Sequence, residues 1–113
     1  MKILTAKMSI GELNTIAAAG FGEMVKAVVD VERELVAIDA ELHADLESLL
    51  LENGSRQPAL WGINFYPGIP GDDFIEFDSM INIRPSAGNR SRGVENETLQ
   101  KKIREIAAKW IQR

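Results

Sequence analysis

"MVKAVVDVERELVAIDAELHADLESLLLENG", residues 24–54, reads two ways, and the choice decides the fold. With a 3.6-residue period, Met24, Val28, Val31, Leu35, Ile38, Leu42, Leu46 and Leu49 step by three or four, as on one long helix. With a period of two, Val25, Ala27, Val29 and Val31 face one way while Lys26, Asp30 and Glu32 face the other. Valine at 25, 28, 29 and 31 leans the first part toward strand. "DLESLLLENG", 45–54, leans toward helix, with Asn53-Gly54 as its stop. The reading adopted is a hairpin of 24–32 and 35–40 followed by a helix over about 44–53, with Asp45 available as its N-cap.

Outward from this stretch, "KILT" (2–5) has the character of a short strand, and "SIGE" (9–12) is a capping box opening a helix that stops at Gly20. "LWGINFY" (60–66) places Trp61, Ile63 and Phe65 on one face of a strand bounded by Pro58 and Pro67. "DFIEFDSMINIR" (73–84) alternates with Ile75, Phe77, Ile81 and Ile83 on one side, and Ser79 marks a bend or bulge between two strand halves. Asn96 caps a closing helix whose apolar stripe is Leu99, Ile103, Ile106 and Trp110. Half-apolar alternation predicts one buried and one wetter sheet face. The expectation is therefore a single α+β domain over 1–113. It has two layers, a mainly antiparallel sheet of four to five strands covered by about three helices, in the order β-α-β-β-α-β-β-α.

The stretches "ELHADLESLLLENGSRQPALWGINFYP" and "FIEFDSMINIRPSAGNRSRGVEN", with "FGEMVKAVVDVERE", resemble members of a small prokaryotic family of unknown function. Members of that family often have Gly-Gly where this chain has Asp39-Ala40; that pair would favour the hairpin reading there, and this chain departs from it. The resemblance implies no activity, cofactor or catalytic residue.

The chain holds 113 residues, the size of one domain, without cysteine, which excludes disulfides, thiolate metal sites and cysteine nucleophiles. No signal-peptide or membrane-spanning run is seen, so a cytoplasmic setting without membrane association is expected. The net charge of −4 is unevenly placed. From Arg84 onward eight basic residues stand against three acidic ones; before it five basic stand against fourteen acidic. Such a split reads as attraction between the two regions within one fold, as an anionic partner for the basic part, or as a homodimer whose acidic and basic regions meet across a symmetric interface.

"INIRPSAGNRSRGVEN", 81–96, is the candidate ligand-binding stretch. Arg84, Arg90 and Arg92 bring guanidinium groups that suit phosphate or carboxylate. Asn82, Ser86, Asn89 and Ser91 add donors, and the segment leads into a helix N-terminus. The bland alternative is a structural loop whose arginines pair with the chain's own acids. No P-loop or dinucleotide fingerprint accompanies it. Nucleic-acid binding ranks behind a small anionic molecule or a protein partner, because the acidic body opposes steering. Glu41, His43 and Asp45 would share a face if extended and form a weak candidate metal trio, one histidine and two carboxylates with nothing to complete a zinc site. No motif names a reaction, so an enzyme reading has only that trio to rest on, and no cofactor is expected.

Overall fold

A computed structural model describes all 113 residues, 1–113. The elements are β1 (Lys2–Ile3), β2 (Met8–Ser9), α1 (Ile10–Ala19), β3 (Val25–Asp30), β4 (Leu35–Ile38), α2 (His43–Glu52), β5 (Leu60–Phe65), β6 (Ile75–Glu76), α3 (Glu97–Trp110) and β7 (Ile111–Gln112). The class is α+β. One sheet of five strands runs in the order β1-β4-β3-β5-β6 with every neighbour antiparallel, and β2 pairs in parallel with β7 as a separate two-stranded ladder.

The decisive stretch forms the hairpin and then the helix. Asp30 makes the turn: its Oδ1 accepts from the amides of Glu32 and Arg33, both at 2.9 Å. Glu34 then takes a left-handed φ of +56°, which no continuous helix contains. Asp39, at φ +73°, turns the chain again out of β4. The turn is held from outside, since Trp110 Nε1 donates to the Glu34 carbonyl at 2.8 Å and Lys102 and Lys109 pair with its carboxylate at 3.4 and 3.8 Å.

The predicted alternation holds in β3 and β5. Val25, Ala27, Val29, Trp61, Ile63 and Phe65 lie in one core with residues of α1 and α3, among them Leu13, Ala17, Ile103 and Ile106. The other face carries Val28, Ala37 and Leu60, which pack against Leu46 and Leu50 of α2. The helices are thus divided between the faces, and α2 occupies much of the face that the sequence leaves wetter. Burying leucines such as Leu46 and Leu50 contributes about 2–3 kcal/mol each, enough to hold a ten-residue helix that would not persist alone.

Three local readings are corrected. Only Ile75–Glu76 of the expected 73–84 strand enters the sheet, and Met80–Asn82 and Pro85–Ala87 are 3-10 turns. The chain leaves the ladder after Glu76 and does not return, so Ser79 is no bulge between strand halves but the N-cap of the Met80–Asn82 turn. Asp45 is not the α2 N-cap; Leu42 holds that position without a side-chain bond, and Asp45 sits in the first turn, where its charge still suits the helix dipole. The Glu12 carboxylate of the α1 capping box accepts from the Ser9 hydroxyl, at 3.3 Å, while Ser9 Oγ takes the Glu12 amide at 3.1 Å.

Candidate functional site

The loop singled out by the sequence is built from polar groups turned on the protein itself. Asn82, fully buried, accepts from the Gly62 amide at 2.8 Å and donates to the carbonyls of Gly62 and Arg92, each at 2.9 Å. Asn89 Nδ2 donates to the carbonyls of Asn82 at 2.7 Å and Gly93 at 2.8 Å, and its Oδ1 accepts from Glu95. Arg84 lies 4.5 Å over the Trp61 ring and donates to the carbonyls of Leu60 and Pro58, and burial lowers its pKa. Arg92 pairs with Asp78 at 2.7 Å, and Ser91 Oγ accepts from Gly93 at 3.2 Å. The loop amides of Arg90 and Ser91 receive a carboxylate, and it is the chain's own: Glu95 accepts both, at 2.7 and 2.9 Å. Those amides hold the Glu95 pKa below the usual range. Ser86 is exposed, and the exposed Arg90 guanidinium has no bond or ion pair within the chain.

Glu41, His43 and Asp45 do not converge, and no group of three such side chains could hold a metal. His43, 7% exposed, turns inward, its Nε2 2.8 Å from the Ile63 carbonyl, while Glu41 and Asp45 are exposed. Burial lowers the His43 pKa, and nearby Lys26 opposes its charge further. The Ile63 carbonyl can only accept, so Nε2 is the donor in that bond. Beside the ring, Lys26, Asn64 and Glu76 stand in register on β3, β5 and β6. Asn64 and Tyr66 both donate to Glu76 Oε1, at 2.9 and 3.2 Å.

A second basic constellation, missed from sequence, forms between α3 and the turn Gly71–Phe74. Arg104 Nη1 donates to the Asp72 carbonyl at 2.9 Å, and its guanidinium lies 5.1 Å over the Phe77 ring. Arg113 Nη2 donates to the Gly71 carbonyl at 3.2 Å, 4.3 Å over the ring of Phe74. The two arginines line one groove of about 100 Å³, whose floor is Phe74, Ile75, Ala107 and Ile111. No carboxylate lies within 4.0 Å of either guanidinium. Eight residues separate them, and Arg113 lies just past the strand that follows α3, so neither period brings them to one face on paper.

Of the five ion pairs, Arg92–Asp78, Lys102–Glu34 and Lys109–Glu34 join the basic region from Arg84 onward to the acidic body, so part of the charge split is settled within the fold. No helix is long and apolar enough to cross a membrane. No curated protein matches the chain, and no solved structure does. A family model described as a protein of unknown function, DUF5674, matches residues 2–110, and the chain belongs to that family.

Proposed function

We propose that the chain is a binding module that receives an anionic group in the groove between Arg104 and Arg113. The observation that carries this reading is the state of those two side chains. Each is fixed by a backbone carbonyl and an aromatic ring, and neither has a carboxylate within 4.0 Å, although Asp72 lines the same groove. Two like charges held on one small groove repel each other, and an anion between them removes that cost while gaining charge-assisted hydrogen bonds. Fixing the guanidinium planes beforehand lowers the entropy lost on binding. In the 84–92 loop, by contrast, Asn82, Arg84, Asn89 and Arg92 already serve the fold, and Arg90 is the group left to meet a ligand.

The test is an NMR titration of the protein with acetate and with inorganic phosphate, repeated on Arg104→Gln, Arg113→Gln and Arg90→Gln. The expected result is saturable shifts at residues 71–75 and 104–113 that disappear in the first two variants and persist in the third. Shifts confined to 84–92 and lost with Arg90→Gln would place the ligand at the loop instead. An absence of saturable shifts with both anions would end the proposal.

A further inference from the structure

Resting on that reading of the groove, we infer that its ligand is a monocarboxylate carried on a short alkyl or aryl body, in preference to a phosphate. The argument is one of matching donors and apolar walls. Polar side chains other than the arginines are scarce around the groove: only Asp72, itself an acid, joins them. The exposed Ala108 and the narrow outer edges of Phe74, Ile75, Ala107 and Ile111, each no more than 7% exposed, supply the remaining side-chain surface. A carboxylate has two oxygens, one for each guanidinium, and its carbon substituent then lies against the alkyl side of the groove at Ala108, the Phe74 ring being covered by Arg113. A phosphate brings three or four oxygens, and those not reached by an arginine face carbon or the Asp72 side of the groove, where unpaired polar atoms are costly. A volume of about 100 Å³ accepts the head and first carbons of such an acid, and the open side leaves its remainder in solvent. The same chemistry is presented by a free small acid and by the C-terminus of a peptide.

The experiment is a titration of the intact protein with acetate, propionate, butyrate and inorganic phosphate, followed by NMR. A peptide ending in Ala-Val as free acid and as amide forms the second arm. Affinity is expected to rise about fourfold for each methylene that becomes buried, which is ~0.8 kcal/mol converted at 25 °C, and to exceed that for phosphate. Ala108→Glu, on an exposed position that lines the groove, is expected to abolish binding by placing a carboxylate there while the fold is retained. Binding of the peptide acid but not its amide identifies a chain terminus as a competent source; binding of the small acids alone identifies a free metabolite-sized acid. Phosphate binding at least as tight as butyrate, with no dependence on chain length, would overturn this inference and leave the anion-binding module standing. Failure of every anion to bind would overturn both.

Discussion

The Asn82 side chain does the work of a strand for Gly62: its Oδ1 accepts from the Gly62 amide at 2.8 Å, and its Nδ2 donates to the Gly62 carbonyl at 2.9 Å. A primary amide has the same donor and acceptor as a peptide group, so it closes the exposed edge of β5 where β6 has ended. Replacing Asn82 by Ala leaves the buried Gly62 N–H and C=O without partners, whereas the Arg92 carbonyl keeps the Ser79 amide at 2.9 Å. Each stranded group costs about 1–3 kcal/mol. Asn82→Ala is expected to lower unfolding stability by about 3 kcal/mol, read from the shift of a urea midpoint at unchanged slope.

Gly62 itself meets a different neighbour. A Cβ there would lie 2.5 Å from the Ser79 Cβ and 3.2 Å from His43 Cδ2. Gly62→Ala is therefore expected to destabilise by about 2 kcal/mol or more, as overpacking does. Pairing it with Ser79→Gly removes the closer clash, and a double-mutant cycle should show a favourable coupling of about 1 kcal/mol. Strict additivity of the two changes would contradict the contact.

Asp39 holds a φ of +73°, where a side chain is crowded and glycine is not. Its only ion pair is a long, exposed one with the N-terminal ammonium, at 3.7 Å, of the kind that contributes little. Asp39→Gly should raise stability by about 0.5–1 kcal/mol, whereas Asp39→Val should lower it. Thermal unfolding of both variants gives the comparison.

His43 makes stability depend on pH in a definite direction. Its folded pKa lies below the usual 6.5 because burial penalises the charged ring. Between those two values the unfolded state binds more protons than the native one, so stability rises with pH through the window. It is complete above about 6.5 and is lost as pH falls toward the folded pKa. Urea unfolding at pH 7.5 and 5.5 should show the loss, and His43→Gln should flatten the difference. An equal loss in the variant would assign the effect to other groups.

These relationships show where sequence reading succeeds. The alternation of Val25, Ala27 and Val29, and of Trp61, Ile63 and Phe65, was legible because each strand buries a whole row against α1 and α3. The closing helix was legible for the same reason, through Leu99, Ile103, Ile106 and Trp110. Residues 77–84 alternate as well as any strand, yet Asn82 turns inward and binds a neighbour's backbone, and no periodicity reports what a side-chain amide will bond to. The pairing of Met8–Ser9 with Ile111–Gln112 joins positions about a hundred residues apart through two residues each, too short to leave a pattern. The candidate site was legible only as a surplus of positive charge toward the end of the chain. Which arginines remain unneutralised depends on where Asp78 and Glu95 fall in space, and on the loop amides that Glu95 occupies.

The parallel ladder between β2 and β7 also sets an order of events during synthesis. Met8 finds its partner only when Ile111 has been made, and the Glu34 turn likewise waits for Trp110. The hairpin and β5 can assemble with α2 across one side and α1 on the other, while the part of the aromatic side that α3 covers stays open until that helix has been made. A chain lacking α3 would be without Ile103, Ile106 and Ala107, which share the core of Trp61 and Phe65, and would offer that apolar surface to chaperones; sequence-distant closure of this kind slows the final folding step.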